Sequence, residues 1–441
     1  MFLPVTLTIY WLVPADLRKR FFLVFSFVFL AVTDIVSAVG MLVLTGISCA
    51  FAVFRKRFCK NKVLLLLVAA GIIILYITAF VFYAVYNFSR FSEADLFMRF
   101  CPVGMAFFVL QGIRFTADVL SGKVLPDTED AAHFLLFYPR LAMGPVQSYE
   151  EHSEMCRNAS MNSQNIGEGL SCFIRGLSQK VLLADVIGVV FSSFYGGNDR
   201  EQSILMTWTA LLAFALQFYF TVSGYSRMAE GIALCYGFRL PESYDTPVMS
   251  GSISGFGNRW NKTVVNWFKG CFASLLKSES WYSVLGTVFA WTLMGFWYRP
   301  ALPVVVWGIW MGLWIGLHYY FKKKLNKIPS FIETSVFAAV SFLGCAIFSA
   351  DSFSNGLAHI GLLIGSSGKL FQEQDMYFIR SGAVILVISM YCASGHFKRI
   401  TEKIKRVPVL SGISEAAGII LHTVLLILCA AALVSQHAVL V

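Results

Sequence analysis

The chain has 441 residues, of which 57% are hydrophobic and 14% are charged, and its formal net charge is +10. A soluble domain has about 25% charged residues, so this chain carries too few charges to cover a surface that faces water. The composition excludes a cytosolic enzyme, a secreted disulfide scaffold, a disordered chain and a nucleic-acid-binding protein. It predicts an all-α, polytopic membrane protein whose excess of Lys and Arg lies in cytoplasmic loops and near lipid headgroups.

Apolar stretches long enough to cross a bilayer recur along the chain. The clear spans are residues 21–51 with a break expected near Asp34, 63–86, 205–222, 281–297, 304–321, 334–350, 377–393 and 416–434. The weaker spans are residues 2–13, 103–120, 132–143 and 169–194. Together they predict roughly nine to eleven transmembrane helices plus re-entrant or amphipathic helices.

Charge and composition along the chain indicate its orientation and organisation. Basic clusters at residues 55–62, 322–327 and 396–406 are expected on the cytoplasmic side, as signals of topology rather than binding sites. No Pro/Ser linker interrupts the sequence, so we expect one integral domain over residues 1–441. The ten cysteines show no metal-binding spacing, and neither a metal site nor a cleaved signal peptide is predicted.

The middle of the chain, residues 140–275, crowds polar residues, glycines and tryptophans between apolar spans. Irregular backbone at membrane depth survives only where protein buries it or where it lines a watery cavity. This pattern predicts a central funnel. Just beyond it, Pro300 and Pro303 are expected to end one helix after Tyr298 and to start the next near Val304.

Seven sequence blocks occur in the order and at the intervals of one known family. They are residues 102–123, 137–151 (FYPRLAMGPVQSYEE), 169–185, 216–244, 259–268 (RWNKTVVNWF), 295–313 (GFWYRPALPVVVWGIWMGL) and 348–365. One block is a weak signal, but seven collinear blocks are a strong one. The chain resembles the membrane-bound O-acyltransferase (MBOAT) family, most closely its bacterial alginate O-acetylation and teichoic-acid D-alanylation branch.

The resemblance implies a ring of helices around a tunnel in a bacterial plasma membrane. An acyl group from one side would meet an acceptor hydroxyl from the other side. The implied acyl donor is an acyl-CoA or an acyl carrier, and no bound cofactor is implied. The implied partners are membrane lipids, with a carrier protein or a periplasmic or extracellular acylation partner, and no nucleic acid.

Two departures from the family pattern fall on its reactive positions. The family's general-base His, in "GLWHG", corresponds to Tyr298, and the His of "RWHxSLxxW" corresponds to Asn261. Histidine has an unperturbed pKa near 6.5, which suits a general base, whereas tyrosine has a pKa of about 10 and keeps its proton at neutral pH. Arg299 is adjacent in sequence, although neighbouring helix residues point about 100° apart.

Further departures run in the same direction. Another family His corresponds to Met311, and the acidic pair of the family's "YFDFSGYSDMA" corresponds to Thr221 and Arg227. His318 lies seven residues after Met311, which returns it to within about 20° of the same helix face, about 10 Å along the axis. It is either a relocated base or an interfacial histidine beside Tyr319, and the second interpretation is preferred.

Other polar and aromatic residues of these blocks are candidates for binding. Arg259 is costly to place at membrane depth, so we expect it to line a cavity or to bind an anionic group such as a phosphate-bearing donor. The remaining candidates for the tunnel wall are Trp260, Trp267, Trp297, Arg299, Met311, Thr221 and Tyr225. Aromatic residues at helical spacing are also typical of an ordinary core.

Two functions are therefore open. The first is transfer of an acyl group to a hydroxyl of a cell-surface glycan or a related acceptor, with Tyr298, His318 or the substrate itself covering for the missing base. The second is a catalytically silent family member that binds a lipid, an acyl donor or a partner protein. Residue chemistry by itself favours a silent or strongly altered site, because several reactive positions differ together.

Overall fold

The computed structural model describes residues 2–57, 61–90, 104–141, 143–195, 203–276, 281–325, 329–396 and 408–439. Every regular element in these ranges is helical, which confirms the all-α class. In chain order the helices are α1 (Phe2–Leu12), α2 (Arg18–Thr33), α3 (Ile35–Arg57), α4 (Lys62–Arg90), α5 (Met105–Ser121), α6 (Thr128–Leu135), α7 (Tyr138–Leu141), α8 (Tyr149–Arg157), α9 (Ser163–Ser178), α10 (Asp185–Tyr195), α11 (Ile204–Cys235), α12 (Ile253–Arg259), α13 (Lys262–Cys271), α14 (Ala273–Leu276), α15 (Trp281–Tyr298), α16 (Leu302–Leu325), α17 (Ser330–Phe348), α18 (Phe353–Leu363), α19 (Glu373–Ala393) and α20 (Pro408–Val439). A π-helical segment, Gln179–Ala184, joins α9 to α10, and a 3₁₀ turn, Pro247–Met249, precedes α12.

Seven of the described helices are long and apolar enough to cross a membrane, namely α3, α4, α11, α16, α17, α19 and α20. Of the other helices that the sequence counts among the crossings, α2, α5 and α15 have only 16, 17 and 18 residues. An untilted span needs about 20 residues to cross the hydrocarbon core, so length and hydropathy assign fewer crossings than the sequence predicts. Residues 58–60, 326–327 and 397–406 of the basic clusters lie outside the described residues.

The break expected at Asp34 is present. Asp34 has extended backbone between α2 and α3, and its Oδ1 accepts a hydrogen bond from the amide of Val36 at 3.2 Å. Its Oδ2 accepts one from the Tyr83 hydroxyl on α4 at 3.0 Å and one from Ser37. The carboxylate therefore has hydrogen-bond partners on two helices, as an acidic group between apolar helices requires.

The weaker span expected at residues 132–143 is wrong. The structure divides this segment between α6 and α7, which have eight and four residues. At a rise of about 1.5 Å per residue neither helix approaches the thickness of a bilayer. Pro139 accounts for the interruption, because proline has no amide hydrogen for an interior helical turn and is accommodated only in the first turn.

The chain divides into two compact units, Met1–Phe173 with Ser226–Pro241, and Ile174–Tyr225 with Glu242–Val441. The expectation of one integral domain stays a prediction. The core of the first unit is aromatic: Phe22 stacks on Phe137 with ring centroids 5.0 Å apart, and Tyr138 donates a hydrogen bond to the hydroxyl of Tyr236 at 2.9 Å.

A polar cluster lies beside this aromatic core. Arg140 is only 2% exposed, and its guanidinium donates to the carbonyl oxygen of Phe134 and to Gln147 Oε1 at 3.2 Å. Its hydrogen bonds therefore go to the chain itself rather than to an external anion. Burial lowers the pKa of His133 to about 3 and raises that of Cys156 to about 11, so both side chains are neutral at pH 7.

In the second unit, α15 and α16 form an antiparallel hairpin with very close backbones. A Cβ atom added at Gly295 would lie 2.4 Å from the Val304 carbonyl oxygen, and one added at Gly308 would lie 2.4 Å from the Trp291 carbonyl oxygen. Gly312 has the same role one turn further on, where an added Cβ would lie 2.8 Å from Val288 Cα. Small residues let membrane helices approach in this way. In lipid the hydrophobic effect does not hold helices together, so close van der Waals packing stabilises their association instead.

The hairpin predicts a sharp response to one added methyl group. Gly308→Ala forces the two backbones apart and is expected to destabilise the protein by about 1–3 kcal/mol, seen as a lower melting temperature in detergent. The matched control is Gly418→Ala on α20, where nothing lies within 4 Å of the added Cβ. The control is expected to be neutral or slightly stabilising, since Ala is the better helix former. Equal melting temperatures for Gly308→Ala and the wild type would contradict this packing.

Candidate functional site

Helix α15 ends at Tyr298 and α16 begins at Leu302, which confirms the break predicted from Pro300 and Pro303. The amide of Arg299 still donates to the carbonyl oxygen of Gly295 at 3.2 Å. The helix then ends because proline cannot continue the hydrogen-bond ladder. Tyr298 is thus the last residue of α15, and its side chain is only 3% exposed.

The second part of the site is the turn between α12 and α13. Asn261 has φ +39° and ψ +55°, in the left-handed region, which asparagine tolerates better than most residues. The turn is anchored by the amide of Lys262, which donates to the carbonyl oxygen of Ser243 at 2.8 Å. The side chains of Trp260 and Asn261 lie at this turn and are 5% and 2% exposed.

These two parts meet at one oxygen atom. The indole N–H of Trp260 donates to Tyr298 Oη at 3.1 Å, and the side-chain amide of Asn261 lies 3.4 Å from the same oxygen as a second donor. The alignment with the family predicts that Asn261 and Tyr298 come together, and the structure brings them into contact. We call the set of Trp260, Asn261 and Tyr298 the tyrosine node.

Aromatic rings surround the tyrosine node. Phe218 on α11 stacks on Trp260 at 5.8 Å and packs edge-on against Tyr298 at 5.6 Å between ring centroids. Trp307 and Phe348 also pack edge-on against Tyr298, at 6.1 Å and 6.3 Å. Sequence reasoning did not select Phe218 or Phe348. Their one sequence signal is a position inside two of the seven family blocks.

Arg299 is buried beside the node but is engaged elsewhere. Its Nη2 donates to the carbonyl oxygen of Ala350 at 2.7 Å, and its Nη1 lies 3.8 Å from the exposed carboxylate of Asp351. Arg299 therefore joins the start of α16 to the end of α17. Trp297, the neighbour on the other side, lies with its ring centroid 5.1 Å from that of Tyr298.

Arg259 and Trp267 have polar side-chain atoms without a partner among the described residues. The guanidinium of Arg259, half-buried next to Trp260, forms no hydrogen bond or ion pair with any residue that the structure describes. The buried indole N–H of Trp267, on α13, likewise finds no acceptor within the described ranges. Both are donors available to a ligand.

The other expected tunnel residues make contacts of their own. Thr221 donates to the carbonyl oxygen of Gln217 in its own helix at 2.7 Å, and Met311 is 1% exposed within α16. The ring of Tyr225 lies 5.9 Å from the ammonium group of Lys180, which pairs with Asp185. The expectation that these residues bind substrate stays a prediction.

His318 has a partner on the neighbouring helix. Its Nε2 lies 2.6 Å from Glu333 Oε1, a contact that links α16 to α17. The side chain is 12% exposed and that of Glu333 is 31% exposed. The interpretation of His318 as an interfacial histidine stays a prediction.

The Tyr298→Phe variant tests the hydrogen bonds of the node. Removing the phenolic oxygen keeps the ring but leaves the donors of Trp260 and Asn261 buried without an acceptor, at a cost of about 1–3 kcal/mol for each group left unsatisfied. We expect a clear drop in melting temperature in detergent. The control is Tyr282→Phe on the same helix, whose ring is 61% exposed and whose loss of a hydroxyl is expected to be neutral. Indistinguishable melting curves for the two variants would argue against these hydrogen bonds.

Comparison with known proteins identifies the class to which this fold and site belong. The sequence profile of MBOAT, the membrane-bound O-acyltransferase family, matches residues 22–314. The chain belongs to this family. Seven of its described helices are long and apolar enough to cross a membrane and its relatives are bacterial, so it is a multi-pass bacterial membrane protein.

Three similar proteins illustrate the range of the family. The chain is 27% identical over 342 residues to a probable alginate O-acetylase, AlgI, of Pseudomonas syringae, covering 72% of this chain and 64% of that protein. It is 25% identical to a peptidoglycan O-acetyltransferase of Helicobacter pylori, covering 70% and 66%. It is 22% identical to a teichoic acid D-alanyltransferase of Bacillus subtilis, covering 58% and 69%. The match to the alginate relative spans less than two thirds of that protein.

Proposed function

We propose that this protein is a membrane-bound acyltransferase that esterifies a hydroxyl group of a cell-surface polymer. The three relatives act, by their names, on alginate, peptidoglycan and teichoic acid, which are polymers of the cell surface. The reaction joins the acyl carbonyl carbon to the acceptor oxygen and breaks the bond to the donor's leaving group. The leaving group departs with the acceptor's proton, so that the atoms balance.

The observation that carries this proposal is the tyrosine node. Two sequence blocks that are 37 residues apart at Asn261 and Tyr298 supply side chains to one buried oxygen. The same two blocks carry the reactive histidines in the family pattern. Acyl transfer builds negative charge on the carbonyl oxygen, and fixed N–H and O–H donors in a site without water stabilise that charge. The hydroxyl of Tyr298, whose oxygen accepts from Trp260 and Asn261, offers such a donor.

The node also explains how two histidine positions can change together. A tyrosine hydroxyl can accept hydrogen bonds from both an indole N–H and an amide N–H, whereas a neutral imidazole has one acceptor nitrogen and a protonated imidazole has none. Tyr298 and Asn261 are therefore a matched pair rather than two independent losses. We assign Tyr298 as the residue that contacts the acceptor hydroxyl, and Asn261 and Trp260 as the residues that position it.

Arg259 and the acyl donor form the second part of the proposal. The donors considered, an acyl-CoA or an acyl carrier protein with its phosphopantetheine arm, both contain phosphate. The half-buried guanidinium of Arg259, which has no partner among the described residues, fits such an anion, because two N–H groups of an arginine can bind two phosphate oxygens. A carrier protein or an extracytoplasmic acylation partner is then the expected binding partner, alongside membrane lipids.

Activity is tested through the phenolic oxygen. Cells that express the wild-type chain are expected to gain ester-linked acyl groups on a surface polymer, measured by mild alkaline release and chromatography. Tyr298→Phe is expected to abolish this gain, whereas Tyr282→Phe keeps it. Equal amounts of folded protein in the membrane must be shown by gel filtration of detergent extracts, since Tyr298→Phe also removes two hydrogen bonds.

Two results would argue against this assignment. No acyl groups with the wild-type chain would instead support a silent family member that binds a lipid, an acyl donor or a partner. Retained acyl transfer in Tyr298→Phe, together with its loss in His318→Gln, would move the base to the histidine that pairs with Glu333.

Donor binding is tested separately at Arg259. Arg259→Gln is expected to raise the KM for the phosphate-bearing donor by about tenfold or more, the loss of roughly one charge-assisted hydrogen bond, with a smaller effect on kcat. Arg259→Lys keeps the charge without the paired donors, and its KM is expected to lie between those of the wild type and Arg259→Gln. Arg57→Gln, at an exposed arginine of α3, is the control and should leave KM unchanged. An unchanged KM for Arg259→Gln would exclude a role in donor binding.

A further inference from the structure

A cluster of three potential metal ligands lies in the first unit, whereas the residues of the tyrosine node belong to the second. His133 comes from α6, and His152 and Cys156 come from α8, where a spacing of four residues puts them on one face. His133 is 5% exposed, His152 is 2% exposed and Cys156 is partly buried. Sequence reasoning predicted no metal site, because one ligand lies on a different helix and the H-x-x-x-C spacing is too common to be selected.

The distances between the ligand atoms match a tetrahedral zinc site. His133 Nδ1 lies 3.1 Å from His152 Nε2, and Cys156 Sγ lies 3.5 Å from His152 Nε2 and 3.9 Å from His133 Nδ1. Zn–N bonds of about 2.0–2.1 Å and a Zn–S bond of about 2.3 Å at tetrahedral angles require edges of about 3.3 Å between nitrogens and about 3.5 Å between nitrogen and sulfur. All three observed edges lie within about 0.4 Å of these values.

We propose that His133, His152 and Cys156 bind one Zn²⁺ ion through Nδ1, Nε2 and Sγ, with a water molecule as the fourth ligand. Two imidazoles and one thiolate are a ligand set that zinc prefers. On binding, the Cys156 thiol releases its proton to solvent and the new bond is Zn–S. The ion would link α6 to α8, the helices that precede and follow Arg140 in the chain.

Neighbouring charged groups affect how well the cluster accommodates a Zn²⁺ ion. Arg140 Nη1 lies 3.5 Å from His152 Nδ1, a contact at the limit of a hydrogen bond. A His152 that binds zinc through Nε2 carries its proton on Nδ1, so this contact must lengthen when the ion binds. The guanidinium keeps its bonds to Gln147 and to the Phe134 carbonyl. The Cys156 thiolate offsets one of the two charges of the ion.

The expected orientation keeps the thiol reduced. Helix α3 ends in Arg55, Lys56 and Arg57, which predicts a cytoplasmic end. Lys56 pairs with Asp127, directly before α6, at 3.5 Å, and Lys19 pairs with Asp130 in the first turn of α6. The cluster begins less than two turns further along α6. Thiols near the cytoplasm stay reduced and available to bind metal.

Cobalt binding to the purified full-length chain in detergent tests the proposal. After removal of bound metal with a chelator, Co²⁺ is expected to produce the visible absorption of tetrahedral cobalt and a thiolate-to-cobalt charge-transfer band, saturating at one ion per chain and reversed by Zn²⁺. Cys156→Ser is expected to lose the charge-transfer band and to bind Zn²⁺ about 100-fold more weakly. Cys392→Ser, at an exposed cysteine outside the cluster, is the control and should keep both the charge-transfer band and the wild-type affinity for Zn²⁺.

Further measurements keep the test decisive if Cys156→Ser does not fold. Cys156→His is expected to retain tetrahedral cobalt without the charge-transfer band. X-ray absorption of the zinc-loaded wild type is expected to show one sulfur and at least two imidazole ligands. No tetrahedral cobalt in the wild type, an unchanged band in Cys156→Ser, or a zinc shell with no sulfur or with two or more sulfurs would overturn the proposal.

Discussion

The close approach of α15 and α16 is the constraint on which the candidate site depends. Between helices in lipid there is little hydrophobic gain, so affinity comes from packing and from hydrogen bonds inside the protein. Glycines at positions 295, 308 and 312 let the two backbones touch, and any side chain there would collide with main-chain atoms. The hairpin fixes the end of α15, and with it the position of the Tyr298 ring.

The polar chemistry of the chain follows from the cost of burying unpaired groups. Asp34, Arg140 and Arg299 are each held by hydrogen bonds from or to the protein itself. An unpaired donor or acceptor in such surroundings costs about 1–3 kcal/mol, so most buried polar atoms find partners. The side chain of Arg259 has no such partner among the described residues, and this is why we propose that it binds the substrate.

The two positions that the resemblance aligns with family histidines are best interpreted as a pair. Tyr298 alone, in sequence, looks like the loss of a base, and Asn261 alone looks like a second loss. In the structure the asparagine amide and the Trp260 indole both donate to the tyrosine oxygen. The three side chains are therefore mutually consistent, which supports the proposal of a site built around a hydroxyl group.

Local features of the sequence determined the class, the fold and some helix ends of this protein. Composition determined the membrane class, the family blocks determined the fold, and proline chemistry determined where α15 ends, because these depend on residues close together in the chain. The sequence did not determine that residues 132–143 form two short helices, or that Trp260 donates to Tyr298. It also did not determine that His133 lies beside His152 and Cys156. Such contacts join residues about 20 to 40 positions apart, and they exist only because helix packing brings separate segments to one point, which no local pattern encodes.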